Sequence, residues 1–295
     1  MSRFGIDLHG QDAIGEAILT SGDVQVATGA MAGETLASLI ARSPESLLGT
    51  RGLSLAGPNR DFPLLAKLID AAQPLSIQVH PTDALAPAGC LGKTEAWYVL
   101  HADPGAGIMA GLVDGASRAD VAAALKAGES IAAMVRSVPV VAGQVVFLPA
   151  GTIHALGAGL VIYEIQQPSF VTYRLQDWGR SRELHVAAGL EALNDSYRPV
   201  PSTPAARTSS SRPAPAVQCE QFALELIGAA PGEAIEIEPQ GGPQVFTTID
   251  GESELSTGQS AITLPTGATA VLFAHAGPAR VSSLAGARVL RSWIP

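Results

Sequence analysis

Apolar and polar residues alternate along much of this chain in short runs interrupted by Gly and Pro, a period of two that marks half-buried β-strands. Such runs cover Leu75–Val79, stopped by Pro81, then Thr94–His101, Ile108–Leu112, Gln144–Leu148, Gly159–Gln166 and Val171–Asp177. Phe62–Ala71 alternates less cleanly and predicts a buried strand that turns before Pro74, with Lys67 facing either solvent, the favoured side, or the site. Ahead of it the pattern predicts an irregular polar entry over residues 1–30, a strand near Val24–Ala27 and a short helix over Glu34–Ala41. Helical spacing takes over at Arg118–Lys126, where Ser117 is placed as N-cap, at Glu129–Arg136, and again at Glu183–Leu193. The first two form a helical insertion near 117–136 that would pack on the sheets or cover the mouth of a barrel. These elements predict a mainly β fold with a few helices.

The pattern breaks at 198–215, where prolines 199, 201, 204, 213 and 215 surround Ser209-Ser210-Ser211. Such a stretch builds no core of its own and reads as a linker or mobile loop. Beyond it, short strand-like runs such as Phe222–Ile227, Ala261–Leu264 and Ala270–Phe273 recur at roughly 8–12-residue spacing, the mark of a small β sandwich or barrel. The expected domains are therefore 1–197, the linker 198–215, and a smaller β domain over 216–295.

Composition narrows the picture. With 295 residues, 47% hydrophobic, 15% charged and 31 glycines, the chain can bury a substantial core and is turn-rich and globular. A formal net charge of -9 disfavours nonspecific nucleic acid or anionic membrane partners. It also means that an anionic substrate must be met by locally placed cations. The two cysteines, Cys90 and Cys219, make no disulfide framework and no CxxC pair, and are expected as free, buried or half-buried thiols in a reducing compartment. The first residues lack the apolar core of a secretion signal, and no run approaches a membrane span, so a cytoplasmic protein is expected.

Strand parity then picks out chemistry. Gln78 and His80 lie two apart and leave the same face of one strand; Lys93 and Glu95 repeat that relation in the next; His154 follows a Pro-Ala-Gly turn. Two imidazoles, one carboxylate and one amide oxygen converging from three strands would form a borderline-metal site with room for water or substrate. Over 216–295 there is one histidine, His275, and no comparable cluster, which fits a structural β domain.

Gly143, Pro149, Gly151 and His154 stand in the order Gly-x5-Pro-x-Gly-x2-His, which is similar to the second cupin motif. Adding Gln78-x-His80, Gly92-Lys-Thr-Glu95, Glu164-Ile-Gln-Gln, Thr172-Tyr-Arg174 and Asp177-Trp-Gly-Arg180, the chain resembles the type I mannose-6-phosphate isomerases, in particular their short bacterial form. The resemblance covers roughly 14–195 well and the C-terminal unit in general plan only. It implies a cupin (double-stranded β-helix or jelly-roll) catalytic domain, followed by a second, smaller cupin-like domain without a metal site. Gln78, His80, Glu95 and His154 would be the metal ligands, with zinc as the metal, one ion per chain. Lys93 and Arg174 fall on the family's lysine and essential arginine, and either could bind phosphate or stabilise an enediolate. Glu164 is placed as an acid/base or supporting carboxylate. The implied reaction interconverts mannose 6-phosphate and fructose 6-phosphate through an enediol. Where the family commonly has Ser-Asp, this chain reads Ser169-Phe170, and the family's usual Trp near 15–17 is missing. An isomerase acting on a different sugar or sugar phosphate, or a noncatalytic sugar-binding cupin, therefore stays open, while a metal-dependent oxygenase fits the ligand set less well. A small-molecule substrate is the expected partner, with no nucleic acid and no membrane; the residues do not specify an oligomeric state.

Overall fold

The structure is a computed structural model that describes residues 15–258 and 260–295. Residues 1–14 of the expected irregular entry lie outside the described residues. In chain order the elements are β1 (Glu16–Thr20), α1 (Leu36–Arg42), α2 (Pro44–Leu55), β2 (Leu65–Ala71), β3 (Ile77–Val79), β4 (Glu95–Ala102) and β5 (Gly107–Leu112). Then come α3 (Arg118–Ala127), β6 (Val135–Pro139), β7 (Val145–Leu148), β8 (His154–Leu156), β9 (Leu160–Gln166), β10 (Tyr173–Gln176) and α4 (Val186–Ala192). The remainder is β11 (Val217–Gln218), β12 (Ala223–Ala229), β13 (Ala234–Ile237), β14 (Gln244–Thr257), β15 (Ser260–Pro265), β16 (Thr269–Leu272), β17 (Ala279–Ser282) and β18 (Ala287–Trp293).

By its contacts the chain divides into two compact units, residues 69–202 and residues 1–68 together with 203–295. The boundary at 68/69 falls inside β2.

In the unit 69–202, β4 pairs antiparallel with β7 and β9, while β3 pairs with β10 and β8, and β5 with β8 and β6. Aliphatic side chains of both groups of strands, among them Val99, Leu160 and Ile162 with Ile108, Val138 and Leu156, meet in one buried cluster. The arrangement is a jelly roll with its core between two sheets. Each fully buried aliphatic side chain in such a core contributes roughly 1.5–3 kcal/mol. The opposite face of β3, β8 and β10 carries Ile77, Val79, Ile153, Ala155 and Leu175, which pack with Val121 and Ala124 of α3 and Ala192 of α4. Covering that face with helices is what turns Gln78 and His154, the intervening residues, inward.

α3 forms as expected: Ser117 accepts from Asp120 N while the Asp120 side chain reaches back to the Ser117 backbone, and Gly128 closes the helix in the left-handed region. The second expected helix, Glu129–Arg136, is not formed. A single 3-10 turn at Ala132–Met134 leads instead into β6, where Val135 and Val138 pair with β5 and tertiary pairing overrides the Ala-rich spacing. The strand expected near Val24–Ala27 is reduced to one bridge between Gln25 and Thr35. Lys67, for which solvent was the favoured side, is 6% exposed, with Nζ 3.3 Å from Glu16 Oε2. α2 was not foreseen; it starts at Pro44 and is kinked at Gly49, whose φ of 64° and approach to Gly241 O leave no room for a side chain.

In the other unit an eight-stranded sheet path runs through β11, β12, β18, β14, β17 and β13, with β15 and β16 also on β14. Its core holds Ile227, Phe246, Leu255, Val281 and Val289. Residues 198–215 contain no helix or strand but are anchored at points along their length. Ser202 bridges to Val145, Arg207 bridges to Ile227, and the Arg207 side chain is 4% exposed.

Candidate metal centre

Along β9 the inward positions change from Leu160 and Ile162 to Glu164 and Gln166; along β4 they change from Val99 to Trp97 and Glu95. The interior of this unit is thus aliphatic at one end and polar at the other, and the polar end holds the candidate site. Register fixes its layout. Arg174, Gln78 and His154 stand in one row across β10, β3 and β8. On the other sheet Glu95 faces Gln166 and Trp97 faces Glu164.

Two backbone devices aim the histidines. Gly151, at φ 93°, has no room for a Cβ free of Ala192 O, which would lie 3.0 Å away, and its N–H donates to His80 O at 2.7 Å. The Pro-Ala-Gly turn ahead of His154 is thereby fastened to the residue that carries the other imidazole. Gly92 packs so closely on the Pro81–Asp83 backbone that a Cβ would meet Asp83 N at 2.5 Å. Its N–H donates to Asp83 Oδ1 at 2.7 Å, which holds the loop leading into Lys93 and Glu95.

His80, Glu95 and His154 are all buried and bring one ligand atom each within 4.8 Å of one another. Glu95 Oε2 lies 3.5 Å from His80 Nε2, and Oε1 lies 3.3 Å from His154 Nε2. Nδ1 of His80 donates to Val171 O and Nδ1 of His154 to Thr152 O, each at 2.9 Å. Those bonds leave the Nε2 lone pair of each ring turned to the centre, the arrangement that metal-binding imidazoles need. Burial lowers His154 to about 4, so its ring is neutral at pH 7 and able to ligate. The Gln78 amide nitrogen sits 3.4 Å from His80 Nε2 and 3.2 Å from His154 Nε2, while its Oε1 accepts from Ser76 at 3.0 Å. Because the Ser76 hydroxyl can donate or accept, a half-turn of this amide would present Oε1 to a cation without losing that bond. Two neutral imidazoles and a carboxylate, with an amide beside them, fit a divalent ion of the nitrogen- and oxygen-binding kind.

Lys93, 5% exposed, has Nζ at 2.9 Å from Glu95 Oε2, 3.2 Å from His80 Nε2 and 3.6 Å from Glu164 Oε1. Glu164 Oε2 accepts from the Trp97 indole N–H at 2.8 Å, and the Trp97 ring meets His154 edge-on at 5.5 Å. Arg174 is half-buried, and its Nε has no hydrogen-bond partner among the described residues. Phe170 is 65% exposed, between Ser169, whose hydroxyl donates to Leu91 O, and Val171, whose carbonyl holds His80.

All seven residues singled out from the sequence lie in this one unit: Gln78, His80, Lys93, Glu95, His154 and Glu164 at the polar end, and Arg174 one register position from Gln78. Trp97 was missed, although it continues the parity of Lys93 and Glu95. Asp83 and Gln167 were missed as well: Gln167 takes Thr94 N at 2.9 Å and donates to Asp83 Oδ1 at 3.0 Å, and no local signal announces that pairing. A separate cavity of about 610 Å³ in the other unit, lined by residues such as Ile18, Val26, Leu255 and Phe273, has no titratable group in its lining. Among the described residues no other cluster of His, Cys, Asp and Glu could hold a metal, and no helix is long and apolar enough to cross a membrane. Both cysteines are free, Cys90 being exposed where a buried thiol was expected and Cys219 half-buried.

The fold and this cluster define a cupin whose interior carries side chains able to hold a metal ion. Residues 19–105 match the family model of the phosphomannose isomerase type I catalytic domain. The chain is 41% identical over 152 residues to the mannose-6-phosphate isomerase of Streptococcus mutans, covering 49% of this chain and 47% of that protein. It is 32% identical over 216 residues to a mannose-6-phosphate isomerase of Bacillus subtilis, covering 67% of this chain and 65% of the relative. These alignments span about half to two thirds of the curated relatives' length. A crystal structure of the mannose 6-phosphate isomerase from Bacillus subtilis superposes with a TM-score of 0.82 at 27% identity, over 99% of this chain and 93% of that one. Residues 19–105 thus resemble the type I phosphomannose isomerase catalytic domain, and the chain shares the fold of the Bacillus subtilis enzyme.

Proposed function

We propose that this protein is a zinc-dependent aldose–ketose isomerase that interconverts mannose 6-phosphate and fructose 6-phosphate through an enediol. The observation that carries the reading is the buried His80–Glu95–His154 cluster with Lys93 against it, in a chain whose relatives are named for this activity. Gln78, His80, Glu95 and His154 would hold one zinc ion per chain. Bound there, zinc would supply a Lewis acid for sugar oxygens.

The remaining work falls to the chain's own groups. Arg174 offers a planar fork for the substrate phosphate, the local cation that a protein of net charge -9 requires. Glu164 accepts from Trp97 through Oε2 and lies 3.6 Å from Lys93 Nζ through Oε1, and Oε1 is the oxygen assigned to proton transfer. The C2–H bond breaks with its proton passing to Oε1, a hydroxyl proton moves from O2 to O1, and the held proton forms the new C1–H bond. No atom is gained or lost. The Lys93 ammonium stabilises the negative charge that develops on the enediolate oxygens.

A second reading keeps this chemistry and changes the sugar, because the exposed Phe170 stands where the family commonly has an acid. The domain reading places catalysis within 1–197 and leaves 216–295 without a metal site, joined through 198–215; free cysteines support a cytoplasmic setting. The test is isomerisation of mannose 6-phosphate by purified protein, with chelation and zinc add-back, beside a panel of other aldose phosphates. Zinc-restorable turnover of mannose 6-phosphate is expected. Turnover of another sugar alone would select the second reading, and binding without turnover would sink both.

A further inference from the structure

Gln166 takes no part in the chemistry above, yet it is 0% exposed and stands directly across from Glu95 on the polar face. Its amide is held in one orientation: Nε2 donates to Gln167 O at 2.7 Å and to Ser169 O at 2.6 Å. Turning the amide over would set its oxygen against two carbonyl oxygens, so Oε1 is fixed as an acceptor. No donor reaches that oxygen among the described residues. A buried acceptor left without a donor is costly in a folded protein, and such atoms are uncommon away from functional sites. Its strand neighbour on the same face, Glu164, and its cross-strand neighbour, Glu95, are themselves acceptors when ionised, so the donor must arrive with a ligand. The molecule already expected at this end of the sheet carries several O–H donors.

We infer that Gln166 is a further substrate-binding residue, whose Oε1 accepts a hydrogen bond from one sugar hydroxyl. The inference rests on the sugar-phosphate reading of the site and deepens it. Because Nε2 is tied to Gln167 and Ser169, the acceptor is pre-oriented and discriminates a hydroxyl from a hydrogen at one carbon of the sugar.

The test uses zinc-loaded full-length protein and hexitol 6-phosphates, which bind without isomerising, together with their monodeoxy derivatives, read by calorimetry. In the wild type one deoxy derivative is expected to bind roughly ten-fold more weakly than its parent. Gln166→Met, similar in size, should weaken the parent to the same degree and be indifferent to that deletion. Zinc content and the unfolding midpoint of Gln166→Met separate this from a structural role, since both should stay near the wild-type values while affinity for the parent falls. If Gln166→Met binds every derivative as the wild type does, or if it loses affinity for all derivatives alike, the inference is overturned while the sugar-phosphate reading stands. If the wild type binds no hexitol phosphate at all, that reading fails and the inference falls with it.

Discussion

Both units bury charge at the same point in their design, and they use it in opposite ways. In the unit 69–202 the inward face of β9 goes from Leu160 and Ile162 to Glu164 and Gln166. In the other unit the same change occurs on β12, from Ile227 to Glu225, and on β18, from Val289 to Arg291. There the polar end closes on itself. Arg291 donates to Glu225 at 2.6 Å and to Gln244 at 2.7 Å and lies over the Trp293 ring at 4.4 Å, while Arg207 reaches the same Glu225 oxygen at 3.4 Å. Guanidinium donors meet a carboxylate and an amide oxygen there, and of the Arg291 nitrogens Nη2 is left without an acceptor among the described residues. In the unit 69–202, by contrast, two imidazoles, a carboxylate and the Gln166 oxygen face inward, with the Lys93 ammonium and the Gln78 amide beside the first three. An interior rich in acceptors calls for a cation and for hydroxyl donors from outside, whereas one that supplies its own guanidinium cations to its carboxylate does not call for a metal.

The sharpest way to break this comparison is to remove a charge from each. Glu95→Gln should lose the bound metal and lower turnover on the order of a thousandfold, since it removes the only carboxylate of the cluster. Metal analysis of the purified variant beside the isomerase assay checks it, and full metal content with near-normal turnover would end the comparison. Glu225→Gln should do the reverse. It leaves Arg291 and Arg207 buried with their shared carboxylate gone, at a cost of roughly 3–5 kcal/mol, with turnover per folded molecule unchanged. Urea unfolding followed by the same assay separates the two effects.

The polar end of the unit 69–202 was legible because β-strands report facing directly: a spacing of two placed Gln78 with His80 and Lys93 with Glu95, and Pro149 with Gly151 marked the turn that aims His154. The strands themselves were legible for the same reason. What escaped was whatever depends on a partner far along the chain. The alternation around Lys67 gives no hint of Glu16, 51 residues away. Residues 129–136 have helical spacing, yet Gly128 ends α3 and the open edge of β5 captures Val135 and Val138 as a strand. Gln166 was quoted as part of a motif, but its orientation is set by two carbonyls of the loop that follows it, which no spacing reveals.

Smaller effects sharpen the comparison inside the candidate site. Arg174→Ala should raise KM for a phosphorylated substrate roughly 10- to 100-fold, as expected for losing a charge-assisted anion contact, with little change in kcat. Assaying the matching unphosphorylated sugar checks the role, since its KM should not move. Trp97→Phe keeps most of the packing beside His154 and removes the N–H held by Glu164 Oε2. It should lower kcat about ten-fold while metal content stays full, which titration of zinc against the variant would establish.

The unit 69–202 also holds one charge cluster of the closed kind, and it gives the smallest effect. The Asp177 side chain is buried. It accepts from Arg182 at 2.7 Å through each oxygen and from Arg180 at 3.0 Å, and Arg180 goes on to Pro74 O at 2.9 Å, tying the end of β10 to the approach to β3. The hydrogen bond from Arg182, helped by the charges of both arginines, holds the Asp177 carboxyl below its usual 3.8. A carboxyl with a lowered native value stabilises the fold fully above the unfolded value and loses that contribution as pH falls through the native one. Both arginines are partly exposed, so screening keeps the effect modest, roughly 1–2 kcal/mol at neutral pH. Asp177→Asn should therefore lower the unfolding midpoint at pH 7 and converge on the wild type as pH falls below the lowered native value and the aspartate is itself protonated. A gap that stays constant as pH falls from 7 into the acid range where the fold is lost would show that shape, not charge, makes this clasp. Convergence would place a donor-matched cluster in the same unit as the acceptor-rich site, so that what distinguishes the two interiors is the ratio of donors to acceptors and not the unit in which the charge is buried.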